Sequence, residues 1–199
     1  MSVRPVLLLS QLACVVSLQL PCPLQATARW LDGWIINQNL CPFAAPFRGH
    51  TKILEVRGEE TAAVIAAEVQ ELAALDAQHK ATTLIVLPEL ADFADLMHWQ
   101  ERETERLEAA HPDPPVQLIA FHPDAAFGEM DDDPADLSMR SPLPMLHLLR
   151  NSDVEAAEEQ WSRQHTPAEA PSIQEKNAAF LRGLGFEAAE ALRKAALES

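Results

Sequence analysis

Apolar and polar positions alternate between two periods along this chain, and each change of period marks an element. Residues 27–40 carry Trp30, Leu31, Trp34 and Ile35 on one stripe at helical spacing. That stripe predicts a helix with Thr27 as its N-cap and the tryptophans in the core. Residues 52–57 (KILEVR) read as a short strand that Gly58 breaks. Residues 60–79 return to the helical period, burying Val64, Ile65, Val69, Leu72 and Ala73 with glutamates opposite. Residues 82–87 (TTLIVL) form a continuous β-branched and aliphatic run, the mark of a strand covered on both faces. Pro88 stops that strand, Asp92 caps a helix over 93–110, and 116–121 (VQLIAF) is a third strand.

Strand, helix, strand, helix, strand, with no hairpin turn between strands, predicts a small parallel βαβαβ sheet joined by right-handed crossovers. The N-terminal helix and later helices would pack around it, making an α/β chain with one compact domain over 27–199. A length of 199 residues suits one domain with a sizeable core. The stretch 121–150 (FHPDAAFGEMDDDPADLSMRSPLPMLHLLR) concentrates polar chemistry. It reads as a strand exit, a long acidic loop and a helix started by Ser141-Pro142. That helix would turn Leu143, Leu146 and either Leu149 or Met145 inward and carry Arg140, Pro144, His147 and Arg150 on a second face. Residues 154–164 read as a helix and 166–171 as a loop, with 173–197 a helix broken at Gly183 and Gly185.

Ahead of the domain, residues 6–20 are apolar, follow Arg4 and precede Ala26-Thr27-Ala28. This is the pattern of a secretory leader, diluted by Ser10, Gln11, Ser17 and Gln19. Residues 1–26 are therefore read as a leader or an extension, and the expectation is a cytoplasmic protein with an extension. The run is too short and too polar for a stable membrane span.

Charge narrows the partners. A formal net charge of −15 repels phosphate backbones and anionic lipid heads, which disfavours nucleic acid. Neither GxGxxG nor GxxxxGK is present, so no phosphate-cradling loop of those types is expected. Three cysteines, Cys14, Cys22 and Cys41, make neither a disulfide framework nor zinc spacing.

In parallel sheets, ligands bind beyond the carboxyl ends of the strands, which here are 57–59, Pro88-Glu89 and His122-Pro123-Asp124. His122 could transfer protons or act as a hydrogen-bonded structural group. Arg140, the Ser141 cap and Arg150 suit an anion, with Glu89 beside them on the sheet edge; Arg150 equally suits an aspartate partner. His147 is a second proton-transfer candidate. Cys41, pushed out of helical geometry by Pro42, is a nucleophile only if His122 or His147 lies beside it, and otherwise a buried thiol. Asp124 and Asp133 are the weak metal candidates.

Asn39-Leu40-Cys41-Pro42-Phe43-Ala44, Leu87-Pro88-Glu89, Asp92-Phe93, Phe121-His122-Pro123, Asp133-Pro134-Ala135 and the block 140–150 (RSPLPMLHLLR) together resemble the bacterial family called domain of unknown function 1415. The resemblance covers roughly residues 27–185, and Asn177 in IQEKNAAFLRGL matches that family's carboxyl-terminal helix. It implies that the site candidates fall on the family's motif positions, and it names no substrate or cofactor. Members begin near the Thr27 helix, so residues 1–26 depart from the pattern. The leading expectation is an enzyme acting on a small anionic metabolite. A metal-binding protein using His122, Asp124, Asp133, His147 or Cys41, and a non-enzymatic interaction module, are the alternatives.

Overall fold

The computed structural model describes residues 22–76, 78–111, 113–127, 132–164 and 171–198. The leader-like run 6–20, Asp131 and residues 166–170 of the expected loop lie outside these. Among the described residues the chain is α/β. It opens with helix α1 (Pro23–Arg29), which continues directly as a π-helical segment, Trp30–Ile36. There follow α2 (Ala44–Phe47), β1 (Thr51–Glu55), α3 (Thr61–Ala74), β2 (Thr82–Val86), α4 (Phe93–Ala110) and β3 (Val116–Phe121). After a 3₁₀ turn, Pro134–Ser138, come β4 (Met145–Arg150), α5 (Asn151–Gln164), α6 (Ile173–Leu184) and α7 (Phe186–Glu198).

The sheet is mixed. Its order is β1-β2-β4-β3, with β1 and β2 parallel and β4 antiparallel to both of its neighbours. The three expected strands do share one direction, but β4 stands between β2 and β3. Residues 145–150, expected as a helix started by Ser141-Pro142, are thus an inner strand. Ser141 does not cap a helix: its hydroxyl donates to the Leu143 carbonyl at 2.6 Å and closes a turn. Pro144, which lacks an N–H, offers its carbonyl to Leu87 N–H at 2.8 Å at the start of the strand.

Both faces of the sheet are covered, which is why β2 is buried along its whole length. Ile85, Leu146, Leu148, Val116, Leu118 and Ala120 meet Ile65, Val69 and Leu72 of α3 and Leu96 of α4. Leu84, Met145 and Phe121 point the other way, into Trp30, Trp34, Leu137, Leu181 and Ala189. Period-two alternation therefore sorts β4: Leu146, Leu148 and Arg150 share the α3–α4 face, and Met145, His147 and Leu149 the tryptophan face.

The first helix begins earlier than expected. Thr27 is not its cap but a buried residue inside it, with its hydroxyl donating to Pro23 O at 2.9 Å. The tryptophan stripe is core, and each indole N–H has a carbonyl partner: Trp30 to Arg140 O and Trp34 to Leu137 O, both at 3.0 Å. The π segment is closed by bonds five residues apart, Asn37 N–H to Asp32 O and Leu40 N–H to Ile35 O. Gly33 lies where α7 crosses; a Cβ there would sit 2.4 Å from the Ala196 carbonyl oxygen. Gly185, at φ +79°, ends α6 and lets α7 start at once.

Candidate functional site

The sheet separates the histidines put forward by the sequence. His122 continues the Val116, Leu118, Ala120 parity and stands on the α3–α4 face, against the Phe93 ring of α4 at 5.6 Å. His147 stands on the tryptophan face, 6.3 Å from the Phe121 ring. They do not share a cleft.

His122 is 1% exposed. Its Nδ1 accepts Asp124 N–H at 3.0 Å. A backbone N–H can only donate, so the lone pair is on Nδ1 and the ring proton on Nε2. That Nε2 is buried without a hydrogen-bond partner among the described residues. The backbone around it is closely tied. His122 N–H donates to Met139 O at 3.3 Å, and Ser141 N–H donates to His122 O at 3.3 Å.

Arg140 meets the same turn from the other side, its Nε donating to Ala125 O at 3.1 Å. Its guanidinium carbon lies 5.5 Å from the Phe186 ring centroid. Among the described residues its two terminal nitrogens have no hydrogen bond. The structure therefore brings the backbones of His122, Arg140 and Ser141 together on one turn. The His122 ring lies beside Phe93, which packs edge to face with Phe127 at 5.3 Å, and the Arg140 guanidinium lies on Phe186 of the tryptophan-face cluster.

The remaining candidates are placed elsewhere. Arg150 is buried and donates to the Leu75, Asp76 and His79 carbonyls, which follow the last turn of α3, and it pairs with Asp153 at 3.6 Å. Asp133 accepts Ala135 N–H at 3.0 Å and pairs with both donors of the Arg182 fork, at 3.0 and 2.6 Å. Arg182 holds the Asp133 carboxyl down to about 2. His147 Nε2 meets Thr82 Oγ1 at 2.6 Å while that hydroxyl donates to Leu148 O at 2.8 Å. The hydroxyl's one proton is thus taken, so His147 donates from Nε2; burial lowers its pKa to about 4 and the ring is neutral.

Cys41 packs with the tryptophan-face cluster, on the far side of the sheet from His122. Burial raises its thiol pKa, only partly offset by N–H bonds from Phe43 and Ala44 and by the nearby Lys176 charge. Lys176 and Asn177 of α6 clasp the preceding backbone through Asn39 O and Leu40 O. Glu89 lies at the carboxyl edge of β2 and accepts Gly58 N–H at 2.9 Å. Around it Glu59, Thr61 and Trp99 line a cavity. No motif marks Thr61 or Trp99, whereas Glu59 falls at one of the strand ends where a ligand is expected.

Among the described residues no three His, Cys, Asp or Glu side chains converge in a way that could hold a metal ion. No helix there is long and apolar enough to cross a membrane. A family model described as Protein of unknown function (DUF1415) matches residues 23–191. No curated protein and no solved structure matches.

Proposed function

Because the chain belongs to the family described as Protein of unknown function (DUF1415), its chemistry is argued from its own side chains, and we propose an enzyme acting on a small anionic metabolite at the His122 turn. The observation that carries this reading is the buried Nε2–H of His122, oriented by Asp124 N–H and without a partner. A buried donor left unmade costs roughly 1–3 kcal/mol, and an oxygen of the ligand would recover it. In apolar surroundings such a donor stabilises negative charge far better than in water. Phe93 and Phe127 supply those surroundings. Arg140 supplies the positive charge, with its terminal nitrogens for the anion. His122 here polarises an oxygen rather than serving Cys41 as base, since the two lie on opposite faces. A cytoplasmic location accompanies the reading, because the free Cys22 and Cys41 suit a reducing compartment.

The interaction-module reading has its own support: Arg150, Ser141, Asp133 and Asn177 are all engaged in holding backbone or loop together. His122→Asn separates the two. Its side-chain oxygen can take over the Asp124 bond while the Nε2 donor is removed. In a thermal-shift screen of small carboxylates and phosphates, the native chain should gain stability with a subset. His122→Asn and Arg140→Met should fold and lose that gain. No shift with any anion, together with a His122→Asn chain that is merely less stable, would favour the module.

A further inference from the structure

A concave site lies on the face of the sheet that carries His122, where β1 and β2 end. It is a cavity of about 230 Å³ walled by Val56, Leu87 and Trp99 and by Glu59, Thr61 and Glu89. This is below the roughly 300 Å³ at which sites for drug-sized molecules begin, so its ligand is small. The charged groups of its lining are both carboxylates, and among the described residues no lysine, arginine or histidine lines it. The nearest base in sequence, Arg57, pairs with Glu55 at 2.6 Å.

The site is built rather than merely acidic. Glu89 Oε2 is held by Gly58 N–H at 2.9 Å, which leaves Oε1 for a ligand. Thr61 Oγ1 donates to Gly58 O at 2.8 Å and fixes the loop that carries Glu59. Trp99 packs against the core shared by α3 and α4, so its ring is a rigid wall. Two carboxylates lining one cavity attract an alkylammonium by charge, and the indole beside them offers apolar surface to its carbon skeleton. Two carboxylates fall short of the six to eight oxygens that calcium takes. The net charge of −15 concentrates cations around the whole surface and speeds their entry.

We propose that this cavity binds a small organic ammonium ion, its charge at Glu59 and Glu89 and its carbon skeleton against Trp99 and Leu87. This stands independently of the His122 reading.

The test is an NMR titration with n-butylammonium chloride, sodium butyrate as the anion of matched length, and magnesium chloride. Saturable shifts at the Gly58 amide and Trp99 indole with the ammonium alone are expected. Glu89→Gln keeps an acceptor for Gly58 N–H but removes the charge, and should weaken binding about fivefold at an unchanged melting temperature. Glu59→Gln/Glu89→Gln should abolish the saturation. Shifts that never saturate, equal shifts along the Glu155, Glu158 and Glu159 face of α5, displacement by equimolar magnesium, or an unaltered affinity in the double variant would each overturn the proposal.

Discussion

At the residue scale, the polar groups of the 121–150 stretch divide by what they already hold. Arg150 completes the carbonyls after α3, and its removal strands them together with the mostly buried Asp153. Arg150→Met should therefore destabilise the fold by about 3 kcal/mol in denaturant titration. Arg150→Lys should recover only part, because one ammonium cannot span three acceptors. His147 gives a pH dependence. Its pKa is about 4 in the fold against an ordinary 6.5, so the unfolded chain binds the extra proton between those values. Stability from this group is complete above about pH 6.5 and is lost as pH falls toward about 4, by up to about 3 kcal/mol, less where water reaches the half-buried ring. His147→Gln keeps a donor for Thr82 and should flatten that part of the stability–pH curve; an unchanged slope would assign it to other groups.

At the scale of elements, much was legible and one error explains most of what was not. KILEVR, TTLIVL and VQLIAF all became strands, and the helix over 93–110 has the expected bounds, with Asp92 as its cap. The two tryptophans are core, as their spacing implied. Residues 145–150 were misread because Ser-Pro is a strong helix start and leucines at 143, 146 and 149 fit a helical stripe. A strand buried on both faces has no alternation to betray it, and only its neighbours decide. Reading it as a helix also gathered Arg140, His147 and Arg150 onto one face. In the sheet, His147 and Arg150 point to opposite sides. The π segment left no trace in the pattern either; α7 crosses it at Gly33. Gly33→Ala should lower the melting temperature sharply, by roughly 2–4 kcal/mol of stability. Gly49→Ala, with open space around it, should be near neutral in the same melt.

At the scale of the whole molecule, charge is the dominant property. Thirty acidic against fifteen basic residues make the folded state repel itself. Local pairs such as Asp133 with Arg182 and Glu68 with Lys52 relieve this at single points only. Screening shortens the range of repulsion to about 8 Å at physiological salt. The melting temperature should therefore rise with sodium chloride between about 10 and 300 mM, measured at pH 7.5, away from the histidine window. A flat response would mean that the acidic groups are spaced too widely to interact.

The strand order also bears on how the chain is assembled during synthesis. β1 and β2 are neighbours in the sheet and follow each other in sequence, with α3 as the crossover between them. β3 is translated next, yet among the described residues its sheet partner is β4 alone, whose last residue is Arg150. As the nascent chain leaves the ribosome, β3 thus waits with an unsatisfied edge until the RSPLPMLHLLR block has emerged. That block pairs with β2 on one side and β3 on the other, so the sheet is completed only once it has emerged. The same thirty residues that carry the candidate chemistry thereby act as the keystone of the sheet, and a translational pause before residue 145 would leave the chain most open to mispairing.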